Sequence, residues 1–203
     1  HHRSSAASDV YKRQDLDLVV LGAGSGGLAA AKRAARHGAR VAIVEGDRVG
    51  GACVIRGCVP KKLLVYGAQA RHQLADASAY GLEIGSLRSD VPDLLRRVRA
   101  EVDRLNALHL GFLEKAGVQL ISGWGRFMAA DRIGISNQRG GPVREELSAP
   151  RFLVAVGGRP VRPNFPGVEK TWVSDDMFLL EDVPSSVVAV SYTHLTLPTT
   201  YGV

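Results

Sequence analysis

A glycine-rich turn between an apolar strand and a helix constrains this chain more than any other feature of its sequence. Residues 17–21 (DLVVL) are aliphatic after Asp17, and they lead into the segment Gly22-Ala-Gly24-Ser-Gly-Gly27. The following LAAAKRAARHG is rich in strong helix formers and stops at Gly38. In such a turn the first glycine permits the tight bend, the second allows close backbone approach to a ligand, and the third lets the helix pack on the strand. The segment therefore predicts a strand, a turn and a helix.

A second strand and a carboxylate complete this unit. Residues 40–44 (RVAIV) predict the strand, and Glu45 follows it, 21 positions after Gly24. At that distance a carboxylate can accept hydrogen bonds from ribose hydroxyls, while the helix N-terminus attracts a pyrophosphate. We therefore predict a dinucleotide site. The fingerprint alone does not separate FAD from NAD, and an unrelated glycine turn is the alternative interpretation.

The only two cysteines, Cys53 and Cys58, lie five positions apart. A pair this close cannot form a structural framework of the secreted type, and it indicates redox or metal chemistry. Pro60 and the residues after it suit a helix, so Cys58 is expected in a helical N-terminal turn, where the field favours thiolate. A zinc site would need two further ligands, and the six histidines are dispersed. We expect no metal, and two buried structural cysteines remain the other alternative.

Composition excludes several function classes. The net charge is +6, but lysine and arginine are scattered without interleaved aromatics, so we expect no nucleic-acid partner. No apolar run is long enough to span a membrane, and the beginning of the chain lacks the apolar region of a secretory signal. We therefore expect no membrane association and a cytoplasmic location.

The cysteine segment carries a family resemblance. Residues 50–62 (GGACVIRGCVPKK) resemble the GGTCxxxGCxPxK hallmark of the flavoprotein disulfide reductases, with Ala52 in place of the usual threonine. The chain is thus similar to class I pyridine nucleotide-disulfide oxidoreductases. The resemblance implies an α/β fold, a three-layer Rossmann-like FAD-binding domain with an inserted β-meander. It also implies FAD as cofactor and NADPH as reductant.

The resemblance assigns roles to residues of this chain. Cys58 would lie against the flavin as a thiolate, Cys53 would face solvent and attack the substrate disulfide, and Lys61 would stabilise negative charge on reduced flavin. The residues expected to bind the cofactor are Gly22, Gly24, Ser25, Gly26, Gly27, Glu45, Gly51, Ala52, Gly125 and Gly157. Gly125 follows Trp124 where the family's backbone touches adenine, although a simply packed aromatic fits equally well.

Further motifs indicate the substrate. The Pro60-Lys61-Lys62 sequence and the RLNALH segment ending at His109 are similar to glutathione reductases of the bacterial and plant type. That similarity implies glutathione disulfide as substrate, contacted by Ser25, Lys32 and His109, the last two standing where the family commonly has arginine and tyrosine. Lysine can serve there as a point charge without a bidentate fork. Alternatives are a trypanothione, dihydrolipoamide or mercuric type of reductase, or a non-catalytic FAD-binding redox module.

The remaining chain predicts one long helix and several strands. Apolar residues between Val91 and Leu113 recur at helical spacing, with Ser89 or Asp90 as cap and Gly117 as terminator. Strands are expected at residues 118–122, 126–127, 132–136 and 151–156, which in the family form the meander. Residues 152–160 (FLVAVGGRP) resemble the family's second flavin motif. The apolar run at 185–190 is expected to lead as a strand into the nicotinamide domain.

Both ends of the chain look foreign to this pattern. Residues 1–14 and 191–203 resemble translated vector sequence, and natural disordered tails are the alternative. We expect residues 15–190 to form the FAD-binding domain, interrupted before the nicotinamide domain. By the family resemblance, the full-length protein would be a homodimer with a His–Glu pair in a C-terminal interface domain. The chain alone is expected to have no physiological turnover.

Overall fold

The structure, a computed structural model, describes residues 16–86 and 88–188. The predicted leader and tail, residues 1–14 and 191–203, lie outside the described residues. The helices are α1 (Ser25–Arg36), α2 (Gly51–Arg56), α3 (Cys58–Ala75), α4 (Val91–Lys115) and α5 (Ser174–Met177). The strands are β1 (Leu18–Leu21), β2 (Val41–Glu45), β3 (Gln119–Ser122), β4 (Trp124–Ala129), β5 (Arg132–Ser136), β6 (Val143–Ser148) and β7 (Phe152–Val154).

A four-stranded parallel sheet forms the middle layer, in the order β3-β2-β1-β7. Strand β1 pairs with β2 from Leu18 opposite Val41 to Leu21 opposite Val44, and with β7 on its other side. Because both faces of a central parallel strand are covered, such strands are apolar throughout rather than alternating. Val19, Val20 and Ile43 accordingly have no exposed surface.

Each face of the parallel sheet packs against a different layer. On one face Val20 and Ile43 meet Leu28 of α1 and Leu113 of α4. On the other face the sheet packs against the antiparallel sheet β4-β5-β6, whose contribution is Ile133, Ile135 and Leu147. The predicted three-layer α/β fold with a β-meander is confirmed.

The strands that form the meander differ from the predicted ones. Residues 118–122 and 151–156 were expected among its strands, but they supply β3 and β7 of the parallel sheet. Its third strand is β6, which was not predicted because half of the run VREELS is charged. Only its inward positions, such as Leu147, are apolar, and pairing with β5 decides its conformation.

The long helix begins and ends where its capping residues predict. The Asp90 carboxylate accepts a hydrogen bond of 2.9 Å from the Asp93 amide, and Pro92 lies in the first turn. Leu95, Val98 and Val102 are buried on one face, and Gly117, with φ of 67°, follows the helix end. Residues 185–188 form no strand, and 189–190 lie outside the described residues. No described helix is long and apolar enough to cross a membrane.

Candidate active site

A cavity of about 900 Å³ opens where three parallel strands end. Gly22 follows β1, Glu45 ends β2, and Ala155 follows β7, and all three line it. Ligands of open α/β sheets bind beyond the carboxyl ends of the strands, and the volume is typical of small-molecule and cofactor pockets. The predicted cofactor residues lining this cavity are Gly22, Gly24, Ser25, Gly26, Glu45, Gly51, Ala52 and Gly157.

The glycine turn brings its backbone against neighbouring chain segments. Gly22 has φ of 100°, and a Cβ added there would lie 2.3 Å from the Ala155 carbonyl oxygen. A Cβ added at Gly27 would lie 1.8 Å from the Gly22 carbonyl oxygen, so this glycine permits helix and strand to touch. Gly27 therefore shapes the turn from behind and does not line the cavity.

The N-terminus of α1 suits an anionic ligand. Its N-cap, Gly24, offers no side-chain cap, and its first turn contains no acidic residue. The first-turn amides and the positive end of the helix dipole are thus available to a phosphate. A Cβ at Gly26, Gly157 or Gly158 would meet nothing within 4 Å, which leaves open space beside the backbone. The residues present fit the pyrophosphate of a dinucleotide.

Glu45 is fixed at the edge of the cavity by the backbone. Its Oε2 accepts a hydrogen bond of 2.6 Å from the Ala23 amide, and its Oε1 one of 2.8 Å from the Asp47 amide. Each carboxylate oxygen has a second acceptor site, so both can still receive a ribose hydroxyl. The carboxylate thus ties the glycine turn to the end of β2 while it faces the cavity.

Two helices present the cysteine pair to the same cavity. Cys53 lies in α2, Cys58 is the first residue of α3, and Gly57 separates the two helices. The two sulfurs form a disulfide whose Cα atoms are 4.6 Å apart, and both residues line the cavity. Cys58 is exposed and Cys53 half-buried, in part because the cavity side of each residue is open. On reduction, the dipole of the 18-residue α3 favours a thiolate at Cys58.

Besides Gly27, four predicted residues do not line this cavity. Lys61 is exposed one turn along α3 from Cys58. Gly125 of β4 is exposed, and its inward side faces the parallel sheet, since a Cβ there would lie 2.6 Å from the Leu21 Cδ2. Lys32 and His109 meet each other at the contact of α1 with α4.

The Lys32–His109 contact has an unusual electrostatic character. The Lys32 Nζ lies 5.4 Å from the Phe112 ring centroid, and His109 meets the same ring edge-on at 6.0 Å. Burial, and secondarily the positive charge of Lys32, lowers the pKa of His109 below its usual value. The Nδ1 of His109 is buried and has no hydrogen-bond partner among the described residues. Two predicted substrate residues therefore lie beside the same Phe112 ring, but the Nδ1 of His109 is closed off from solvent.

Sequence reasoning missed several cavity residues. Arg56 and Asp175 line the cavity from the cysteine loop and from α5, and no motif marked either one. Arg159 also lines it, and its guanidinium carbon lies 5.5 Å from the centroid of Trp124. Only Arg159 had a nearby signal, because it follows the second glycine motif. Among the described residues, no group of histidine, cysteine and carboxylate side chains could hold a metal.

The fold and the cavity define the class: a βαβ domain of the dinucleotide-binding type, with a disulfide in the wall of the cavity at the ends of its parallel strands. A sequence profile of the pyridine nucleotide-disulphide oxidoreductases matches residues 16–190, and the chain belongs to this family. The chain is 45% identical over 87% of its length to a glutathione reductase from Nostoc sp. and 37% identical over 88% to one from Burkholderia cepacia. It is 35% identical over 96% to a chloroplastic/mitochondrial glutathione reductase from Pisum sativum.

These alignments cover only part of each relative. The chain spans 37%, 38% and 36% of the three proteins, a little over a third of their length. The similarity identifies a glutathione reductase-type fragment.

Proposed function

We propose that this chain is the FAD-binding part of a disulfide reductase that passes electrons from NADPH to glutathione disulfide through Cys53 and Cys58. One observation carries the proposal: the disulfide lines the same cavity as the glycine turn and Glu45. A cofactor held by its pyrophosphate at α1 would therefore share a cavity with the sulfurs. Bound FAD, once reduced by NADPH, would supply the two electrons that open the disulfide.

The residues of the chain divide the remaining work. Gly24, Gly26 and the first turn of α1 would bind the pyrophosphate, and Glu45 would accept hydrogen bonds from the ribose. Gly51, Ala52 and Gly157 would border the flavin half of the cofactor. Lys61 would stabilise negative charge near the flavin, and Gly125 would contact the adenine side; for both, the support is family resemblance alone.

The substrate would be reduced by two thiol–disulfide exchanges. The Cys53 thiolate attacks one sulfur of glutathione disulfide, forms a mixed disulfide and releases the first glutathione thiolate. The Cys58 thiolate then attacks the Cys53 sulfur, re-forms the protein disulfide and releases the second glutathione, and each leaving thiolate takes up one proton. The position of Cys58 at the start of α3 favours the thiolate form that this second attack needs.

Ser25, Lys32 and His109 are proposed to contact the glutathione. Lys32 would provide a positive charge for a carboxylate, and His109, which lies beside the same Phe112 ring, would border the bound glutathione. The names of the three relatives support this choice of substrate.

The rest of the assignment concerns the whole protein. We propose that residues 15–190 are the native FAD-binding domain, that 1–14 and 191–203 are foreign, and that the full-length protein is a homodimer with NADPH and interface domains. A cytoplasmic location and a role in cell redox homeostasis stay predictions. Sequencing the gene in its native reading frame beyond the codon for Val190 tests the domain proposal. A second glycine fingerprint should follow within a few residues.

A pair of cysteine variants tests the redox assignment. The purified chain is loaded with FAD, and absorbance is recorded for the Cys53→Ser and Cys58→Ser variants. Cys53→Ser leaves the thiolate that is expected to touch the flavin, so it should show a long-wavelength band that disappears on acidification. Cys58→Ser should lack the band. Equal spectra for the two variants, or no FAD binding, would contradict the proposal.

The substrate proposal needs the full-length protein. NADPH oxidation should be at least about tenfold faster with glutathione disulfide than with trypanothione disulfide or lipoamide, since a charged pocket discriminates by unpaired groups. Preference for another disulfide would retain the redox mechanism and replace the substrate. No turnover with any disulfide, in a protein that binds FAD, would favour the non-catalytic module.

A further inference from the structure

Arg56 is a charged residue inside the loop that separates the two cysteines. Its guanidinium bridges two carboxylates: it is paired with Asp47, and its Nη1 lies 3.6 Å from the Asp175 Oδ2. The Arg56 and Asp175 side chains are 29% and 28% exposed, so this clamp is screened less than an open surface pair. We call the Asp47–Arg56–Asp175 group the loop clamp.

The two carboxylates belong to distant parts of the chain. Asp47 follows β2, and its amide is bonded to the Glu45 carboxylate. Asp175 lies in α5, 119 positions after Arg56 in sequence. The clamp therefore joins the cysteine loop to the cofactor-binding edge of the sheet and to the last described helix. It also forms part of the wall between the main cavity and a smaller one of about 350 Å³.

The helix that carries Asp175 is itself held in place. Arg162 pairs with the neighbouring Asp176, whose carboxylate also accepts a 2.8 Å hydrogen bond from the Val173 amide. Arg99 of α4 donates a 2.8 Å hydrogen bond to the Leu180 carbonyl oxygen just beyond α5. Asp175 thus offers Arg56 a fixed partner.

The clamp acts at the point where the cysteine loop can bend. Arg56 is the last residue of α2, and Gly57, with φ of −153° and ψ of −113°, separates it from α3. Once the disulfide opens, rotation at Gly57 can move Cys53 away from Cys58. Holding Arg56 from both sides restricts that motion and keeps the two thiols close to each other.

We propose that Arg56 is a positioning residue whose clamp raises the effective concentration of one thiol at the other and so favours the closed disulfide. The inference rests on the proposed redox role of the cysteine pair. The reaction is a thiol–disulfide exchange. An external dithiol loses two electrons and two protons and becomes a disulfide, and the Cys53–Cys58 bond takes them up and opens to two thiols. Removing the clamp should make this pair a stronger oxidant.

The test measures the equilibrium of the cysteine pair without flavin or substrate. The 203-residue chain is equilibrated in dithiothreitol redox buffers, alkylated, and analysed by mass for the fraction of disulfide. The variants are Arg56→Gln, Arg56→Lys, Asp175→Asn and the double variant Arg56→Gln/Asp175→Asn. Arg104→Gln is the matched control, because it breaks an exposed arginine–carboxylate pair with Glu101 on α4. Circular dichroism checks that each variant is folded.

We expect Arg56→Gln to lower the equilibrium constant for disulfide formation about three- to tenfold, a potential roughly 15–30 mV less negative. Asp175→Asn should lower it less, and Arg56→Lys should recover part of the loss. The double variant should resemble Arg56→Gln alone, since both changes remove one interaction. Arg104→Gln should match the unchanged chain.

Three results would contradict the proposed role of the loop clamp. The first is an equilibrium constant for disulfide formation in Arg56→Gln within twofold of that of the unchanged chain. The others are additive effects of the two substitutions in the double variant, and a change of the constant in Arg104→Gln as large as that in Arg56→Gln. If Arg56→Gln does not fold, Asp175→Asn decides, because it removes a single carboxylate. A cysteine pair that forms no reversible disulfide in the unchanged chain would instead overturn the proposed function, and the clamp with it.

Discussion

Two adjacent glycines of the fingerprint have different tasks at the scale of single residues. A Cβ at Gly27 would lie 1.8 Å from a backbone oxygen, whereas one at Gly26 would meet nothing within 4 Å. Gly27→Ala should therefore cost about 1–3 kcal/mol of stability through overpacking. Gly26→Ala should leave stability unchanged or raise it by up to about 1 kcal/mol, because alanine favours the helix. Urea unfolding of the flavin-free chain measures both.

The same glycine pair separates folding from binding. Gly26 lines the cavity and Gly27 does not, so Gly26→Ala should weaken FAD binding in a chain of normal stability. A flavin titration followed by fluorescence measures the affinity. If Gly26→Ala and Gly27→Ala lost the same stability, the close approach of α1 to the strand would not be the reason for glycine at position 27.

His109 provides a prediction about protonation. Burial and then Lys32 lower the pKa of His109, so Lys32→Gln should raise that pKa part of the way toward 6.5. Lys62→Gln is the control, because Lys62 packs over Tyr66 on α3. Titration of the imidazole by NMR measures the change. An unchanged pKa in Lys32→Gln would mean that the lysine charge does not reach the ring.

The lowered pKa also sets the sign of a stability effect. The unfolded chain binds a proton at His109 more readily than the folded chain does. The contribution of His109 to the free energy of unfolding is therefore fully present above pH 6.5, and it is lost as the pH decreases toward the folded-state pKa. His109→Gln should reduce this pH dependence. Urea midpoints at pH 8 and pH 5.5 measure it, and an identical pH dependence in both chains would contradict the assignment.

At the scale of elements, the start of α4 depends on one of two adjacent polar residues. The Asp90 carboxylate accepts the hydrogen bond from the Asp93 amide, so Asp90→Ala should cost about 1 kcal/mol. Ser89→Ala, next to it, should cost less than about 0.5 kcal/mol. Chemical denaturation followed by circular dichroism compares them, and equal losses would exclude Asp90 as the cap.

The redox loop is itself an arrangement of elements. The helix after Cys58 was predicted and is observed as α3, but the short helix α2 that carries Cys53 was not. Residues 51–56 make too short a stretch for helical periodicity to be recognised. The break at Gly57 is what allows both cysteines to face one cavity.

At the scale of the molecule, stability depends on the contact between the two sheets. Ile133 of β5 has no exposed surface and packs in the cluster that joins the meander to the parallel sheet. Ile133→Ala should therefore cost about 2–5 kcal/mol. Val161→Ala is the control, because Val161 is 85% exposed and should change stability by less than about 0.5 kcal/mol.

Two probes follow this unfolding. Circular dichroism reports on the whole chain. In a Trp172→Phe background, which removes the second tryptophan, the fluorescence of Trp124 reports on the first meander strand. In Ile133→Ala both midpoints should fall together, since one buried cluster contains residues of both sheets. Loss of the meander signal at a separate, lower midpoint would mean that the two sheets unfold independently.

The sequence by itself determined the parts that local chemistry specifies. Motif and spacing located the features that depend on short-range interactions. These are the steric limits at Gly22 and Gly27, the carboxylate at the end of β2 and the capping of α4. The resemblance of residues 50–62 to the family's cysteine motif predicted that Cys53 and Cys58 lie beside the cofactor, and both line the same cavity as the glycine turn. The cavity residues it named occupy two segments, at 22–58 and at 157.

Only the tertiary structure decided what depends on chain segments far apart in sequence. Residues 118–122 and 151–156 join the parallel sheet and not the meander, because the pair β1–β2 leaves one edge open on each side. Strand β3 pairs with the open edge of β2, and β7 pairs with that of β1. The approach of Gly125 to the parallel sheet and the proximity of Lys32 to His109 depend on helix and sheet packing. Asp175 reaches Arg56 because folding brings α5 over the cysteine loop, and no local pattern encodes a partner 119 positions away.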